Sequence, residues 1–210
     1  KYGHKIDEKG HQYIYYATDG AKRMKNIILD LLNYSRAGKA TELKEQIDIN
    51  NILFEFKQLR RKIISEKNAK LVFDNLPIIH SYKAPITQIF HCLLDNALNY
   101  NKEDIPPLIK INFDENEKDY LFLIHDNGIG INPKFHDKVF MIFQSLHNDK
   151  KNSGTGIGLS IAKRQVEFLG GKIWFESEEG EGSIFYVQIP KTNSYERKKH
   201  KISPYIISRG

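Results

Sequence analysis

Apolar residues recur along this chain in two rhythms. Between residues 10 and 36 they fall at Ile14, Ala17, Ala21, Met24, Ile28 and Leu31. This alternation of threes and fours predicts one long helix carrying a heptad seam. By pattern alone the seam fits two placements equally, against a partner helix or along the surface of the chain's own domain. Gly38 offers a stop, because glycine accepts the left-handed conformation of a helix C-terminus. From residue 43 the rhythm shortens. Residues 45–49 read as a strand, 50–67 as a helix and 69–75 as a strand, and 85–100 as a second helix with Pro85 in its first turn. Residues 108–116 and 118–128 predict a hairpin, 133–143 a short helix, 147–156 a polar loop and 157–169 another helix. Residues 172–190 close the pattern as two strands around a Glu-Gly turn. Short strands joined by tight turns, with helices between, predict an α+β fold. Its expected form is a two-layer α/β sandwich, with a mixed, largely antiparallel sheet, helices on one face and the long helix in front.

Charge changes the picture less than its total implies. The net charge is +6, but residues 191–210 hold six Lys/Arg against one Glu, so the body is close to neutral. A basic end without interleaved aromatic residues reads as solvated, which argues against nucleic-acid binding. No run is long and apolar enough for a membrane span, and no signal-peptide pattern opens the chain. The single cysteine, Cys92, excludes an internal disulfide framework. These features together read as cytoplasmic. The first residue is Lys1 and not methionine, so further sequence is expected upstream.

Three polar elements carry the candidate chemistry. In SGTGIGLSIAKRQVEFLGG, residues 153–171, Gly154, Gly156 and Gly158 precede a helix. The run fits neither the Walker A loop nor the dinucleotide fingerprint, whose third glycine would stand at Leu159. Bare amides entering a helix N-terminus favour an anion such as phosphate. A plain glycine-rich surface loop is the competing reading. In HDNGIGI, Asp126 leaves a strand and is followed by Gly128 and Gly130. A carboxylate there can accept from an exocyclic amine, and glycines admit a flat ring, although Asp-Asn-Gly is also an ordinary strand exit. On the helix over 85–100, Gln88, Cys92, Asp95, Asn96 and Asn99 share an arc of roughly 100°. Amides beside a carboxylate suit a hydrated magnesium ion, and they equally suit a solvated helix face.

In this order the elements resemble the ATP-binding domain shared by sensor histidine kinases, gyrase-type topoisomerases, one class of heat-shock chaperone and mismatch-repair ATPases. Within that superfamily the chain looks like a histidine kinase of the phytochrome-like, PAS-linked subgroup. LLDNALNY resembles the N box, DNGIG the first glycine box, KVFMIFQSLH the F box and GTGIGLSIAKRQVEFLGGKIWFES the second glycine box. EKGHQYIYYATDGAKRMKNIILDLLNYSRAG resembles the second helix of the dimerisation and phosphotransfer domain. The resemblance divides the chain into residues 1–38, part of that helical domain, 43–190, the ATP-binding domain, and 191–210, a basic tail. It implies a homodimer through the N-terminal helix, which decides the placement of the seam. It also implies ATP and Mg2+ as ligands, a response regulator receiver domain as partner, and a parent protein either soluble or membrane-tethered.

Carried over by position, the resemblance makes Asn96 the magnesium ligand and Asp126 the partner of the adenine amino group. Tyr100 flanks the base, and Gly128, Ile129 and Gly130 line its pocket. Asn99, Phe143, Gly154, Thr155, Gly156, Ile157, Gly158 and Leu159 surround the nucleotide. The loop from His147 to Gly156 becomes the lid, with Lys150 and Lys151 as cations near the phosphates. No catalytic residue is assigned, because the acceptor-histidine motif does not occur. His4 and His11 lie in the wrong context, the acceptor and its acidic neighbour are expected upstream, and this stretch alone should not autophosphorylate.

Three positions depart from the family pattern. Cys92 replaces the first asparagine of the N box, Asn99 a phosphate-contacting lysine, and Ser145 a common arginine. They keep open a degenerate signalling module with little ATP turnover, used for dimerisation or docking. A chaperone-like or mismatch-repair-like ATPase needs a glutamate where Cys92 stands, and ranks last.

Overall fold

The computed structural model describes residues 6–38, 43–144 and 155–191. The chain opens on α1 (Glu8–Arg36), whose first turn is closed by the Asp7 carboxylate accepting from the Gly10 N–H at 2.8 Å. Gly38 follows the helix at φ +80°, as a glycine stop requires. Then come β1 (Glu45–Asp48), α2 (Ile49–Leu59), α3 (Arg61–Glu66), β2 (Lys70–Phe73), β3 (Ile78–Ser81) and α4 (Lys83–Asn99). The hairpin of β4 (Leu108–Glu115) and β5 (Asp119–Asp126) leads to a 3-10 turn, Pro133–Lys138. The described part ends with α5 (Gly158–Phe168), β6 (Lys172–Glu178) and β7 (Gly182–Pro190).

Five strands form one sheet in the order β2-β4-β5-β7-β6, with β2 parallel to β4 and every other pair antiparallel. Register aligns the apolar positions. Ile111 sits opposite Ile124, Ile124 opposite Phe185, and Phe122 opposite Val187. One face of the sheet is therefore continuously apolar, as the period of two demands. α4 covers it with Ile86, Ile89, Phe90, Leu93, Leu94 and Ala97, and α2 adds Ile52, Leu53 and Phe56. At the centre, Phe90 meets Phe122 edge-to-face with ring centroids 5.3 Å apart. This is the expected two-layer sandwich.

Three local expectations are corrected. The helix expected over 50–67 is two helices, because the chain breaks at Arg60 (φ −103°, ψ 12°). There the guanidinium forks onto Asp95 of α4 at 2.6 and 2.8 Å, and α3 delivers Lys67 to the Leu98 carbonyl at 2.7 Å. The break thus ties α2 and α3 to the open end of α4, where a cation meets otherwise unpaired carbonyls. A second, two-stranded sheet pairs β1 with β3, a strand the pattern did not announce. The segment expected as a helix over 133–143 is only a 3-10 turn followed by irregular backbone.

α1 stands apart from this core. Its seam is uncovered, with Met24 62% and Ile28 59% exposed, while Ala37 at its end packs against Ile157 and Ile161 in a small separate cluster. Among the described residues, no helix is long and apolar enough to cross a membrane. Because Phe122 is fully buried in the main core, Phe122→Ala should lower unfolding free energy by about 3–5 kcal/mol in urea denaturation. A loss below about 1 kcal/mol would show that this core is not what holds the sheet and α4 together.

Candidate functional site

α4 serves two layers at once. Its apolar side enters the core, and its polar side, including Gln88, Cys92, Asp95, Asn96 and Asn99, lines a cavity of about 1070 Å³. Facing it are Asp126, Ile129 and Gly130 from the end of β5 and Thr155, Gly156, Gly158 and Leu159 from the start of α5. Tyr100 lines it as well, and Ser183 is the partner of Asp126 in the β5–β7 register.

Asp126 is the last residue of β5, held between Ile109 of β4 and Ser183 of β7, and is only 6% exposed. Burial pushes its carboxyl from 3.8 up to about 6, while the backbone N–H groups of Gly128 and Ser183 pull the other way. The Gly128 N–H donates to Oδ1 at 2.9 Å, and the Ile129 N–H donates to the Tyr100 carbonyl at 3.1 Å, which ties the loop to the end of α4. Two glycines are steric necessities. A side chain at Gly128 would collide with the Tyr100 carbonyl, and one at Gly130, where φ is +69°, with the Glu178 carbonyl. Asn127 is a clamp that the sequence reading missed. It accepts from the Leu108 N–H at 2.8 Å and donates to the Pro106 carbonyl at 3.1 Å, so it anchors the strand exit and leaves the cavity to Asp126. Ser177 was also missed. Its hydroxyl accepts from the Ile131 N–H at 2.8 Å and donates to the Gly182 carbonyl at 2.8 Å, which fixes the far side of the same loop.

Among the described residues no side chain caps the N-terminus of α5, which suits its first amides to an anion. Gly156 turns at φ +71° against the Gln144 backbone. Three expected site residues do not line the cavity, Gly128, Ile157 and Phe143; Gly128 instead serves the strand exit through its N–H to Asp126. Ile157 is fully buried and anchors α5 in the cluster with Ala37, so its side chain is a packing element. Phe143 is 57% exposed at φ +63°, on irregular backbone where a helix was expected. Ser145, Lys150, Lys151 and Gly154, with the rest of the expected lid before Thr155, lie outside the described residues, as do His4 and residues 192–210.

The donor set on α4 narrows the cation question. Burial pushes the Cys92 thiol up to about 12, and a neutral thiol is a poor ligand for a hard cation. Asp95 is engaged by Arg60, and Gln88 accepts from Gln165 at 2.5 Å. The Asn96 carboxamide lines the cavity with no described residue bonded to it. One oxygen ligand of this kind fits a cation that keeps most of its water and takes the rest of its shell from a bound anion.

Ionised Asp126 is costly in this setting. The cost is fully present above about pH 6 and fades as pH falls through that value toward 3.8. Relative to Asp126→Asn, the unliganded protein should gain up to about 3 kcal/mol of stability between about pH 7 and pH 4, read from urea midpoints. A difference that stays flat with pH would show that Asp126 is not buried in its charged form.

Residues 82–193 match the family of histidine kinase-, DNA gyrase B- and HSP90-like ATPases. Cyanobacterial phytochrome A from Nostoc sp. is 35% identical over 90% of this chain and 25% of its own length. Full-length ShkA in complex with AMPPNP superposes with a TM-score of 0.68 and 22% identity, over 88% of this chain and 39% of that one. Histidine kinase ThkA in complex with response regulator protein TrrA does so with a TM-score of 0.69 and 24% identity, over 91% and 55%. The two superpositions speak to fold. The chain spans about a quarter of the length of the phytochromes it matches. With its α4 amides, its buried Asp126 and its first α5 amides around one cavity, the chain belongs to the histidine kinase-, DNA gyrase B- and HSP90-like ATPase family, as a catalytic domain of the sensor histidine kinase type.

Proposed function

We propose that the chain binds Mg-ATP and serves as the catalytic domain of a sensor histidine kinase. In the longer protein it passes the γ-phosphoryl group to a histidine upstream of residue 1, for relay to a response regulator. The observation that carries this reading is Asp126, a buried carboxylate lining the same cavity as Asn96 and the first residues of α5. Asp126 accepts a hydrogen bond from the adenine amino group, and the glycines beside it admit the flat base. Asn96 holds a hydrated Mg2+ against the phosphates, which lie at the amides of α5. Phosphoryl transfer needs mainly positioning and charge neutralisation, and this arrangement can supply both. Support also comes from the neighbours of like fold, of which ShkA carries AMPPNP and ThkA a response regulator.

The division of labour follows the same lines. Residues 1–38 supply the second helix of a dimerisation and phosphotransfer unit, 43–190 the ATP-binding domain and 191–210 a tail. The exposed seam of α1 pairs with the same seam of a second copy, since a row including Met24 and Ile28 is otherwise left in water.

Titration with a fluorescent, non-hydrolysable ATP analogue and Mg2+ tests the nucleotide reading. Asp126→Asn should weaken binding by about 1–3 kcal/mol through loss of a charge-assisted hydrogen bond. Unchanged affinity in a folded variant would remove Asp126 from the base pocket. Sedimentation of Ile28→Lys should show monomers where the unmodified chain dimerises. A variant as dimeric as the parent would exclude the seam as the interface.

A further inference from the structure

α1 forms part of the cavity wall. Asn26, Asp30 and Asn33 line the same space as Asn96 and Asp126. At 100° per residue, these three and Ala37 fall on the side of α1 opposite Met24, Ile28 and Leu31. One face of the helix thus meets the body while the other keeps its seam exposed.

Four contacts make this docking. Thr155 Oγ1 donates to the Asp30 carboxylate at 2.5 Å, and Ala37 is buried beside Ile157 and Ile161. The Arg164 guanidinium lies over the Tyr34 ring, 4.7 Å from its centroid. The Gly38 N–H donates to Gln165 Oε1 at 3.1 Å, and Gln165 Nε2 donates to Gln88 Oε1 at 2.5 Å. The chain of bonds runs from the end of α1 through α5 to the polar face of α4. Thr155 adjoins Gly156 and the first amides of α5, so the helix places a carboxylate at the end of the cavity suited to phosphates. Among the described lining residues Lys83 is the one Lys or Arg, set against Asp30, Glu55, Asp95 and Asp126, of which Asp95 is matched by Arg60.

We propose that the Asp30–Thr155 hydrogen bond is a latch that holds α1 against the nucleotide site in a low-affinity arrangement. This rests on the nucleotide reading of the cavity. The phosphates of ATP and the carboxylate of α1 compete for Thr155 and the start of α5, so the position of the helix sets nucleotide affinity. By reciprocity, bound nucleotide loosens the helix by the same factor.

The test uses the full 210-residue chain, the fluorescent non-hydrolysable ATP analogue and Mg2+. Asp30→Ala, which puts a good helix former on α1, should tighten binding about tenfold. Thr155→Val, which removes the latch and a phosphate partner together, should gain less than Asp30→Ala, Thr155→Ser should match the parent, and adding Thr155→Val to Asp30→Ala should bind no tighter than Asp30→Ala alone. Saturating analogue should also speed hydrogen exchange at the Gly38 amide. Gains that simply add would mean that Asp30 acts as a diffuse charge, and the latch falls. If Asp30→Ala binds as the parent does while Asp126→Asn binds more weakly, the nucleotide reading stands and the latch is overturned. Unchanged or slower exchange at Gly38 overturns it too. If neither the parent nor any variant binds the analogue, the nucleotide reading fails and the latch with it.

Discussion

The seating of α4 on the five-stranded sheet is the constraint on which the rest depends. One helix supplies the centre of the core through Phe90 against Phe122, and the polar wall of the cavity through Asn96 and its neighbours. A shift or rotation of α4 would move both together. The accessory contacts of the helix fit this double duty. Arg60 grips Asp95, one residue before Asn96, and Lys67 holds the Leu98 carbonyl one turn further on. Individually such partly exposed polar contacts add little stability. What they add is direction, since they tie the last turns of α4, which carry Asn96, to α2 and α3.

Strong periodicity was the most legible feature of the chain. α1, α4, the β4–β5 hairpin and the β6–β7 pair follow from spacing that only one secondary structure satisfies, and the glycine elements mark where the backbone must approach something closely. The features that escaped have physical reasons. β3 is four residues long, with only Ile79 and Ser81 turned inward, too short a run for alternation to register. The break at Arg60 is made by a partner 35 residues away, which no local pattern contains. Ile157 sits in a run that reads as site, yet its side chain fills the cluster beneath α1. Neighbouring residues of one motif divide between chemistry and packing, and spacing alone does not separate them. Asn127 could have been suspected, because an amide after a strand-ending aspartate commonly ties down the adjoining backbone.

Cys92 illustrates a trade between site and core. An asparagine there would present an amide to the cavity. The cysteine packs with Tyr34 and Ile142 against the Ala37 cluster and stays neutral. The cysteine thus adds apolar surface at the junction of α1 with the body. Asp126 shows the opposite bargain, a carboxylate kept in a place that opposes its charge. The N–H groups of Gly128 and Ser183 offset only part of that penalty, which marks the carboxylate as a candidate for chemistry.

The geometry of α1 also has a mechanical reading. Twenty-nine helical residues at 1.5 Å each make a rod of roughly 43 Å. Every contact with the body described above falls between Asp30 and Gly38, in about the last quarter of the helix and just past its end. A rod gripped at one end is a lever, so a tilt of a few degrees at Asp30 becomes a displacement of several ångströms at Glu8. Read in reverse, a broad, low-force swing of whatever is joined to the far end would reach the cavity as a short, stiff movement of a single carboxylate.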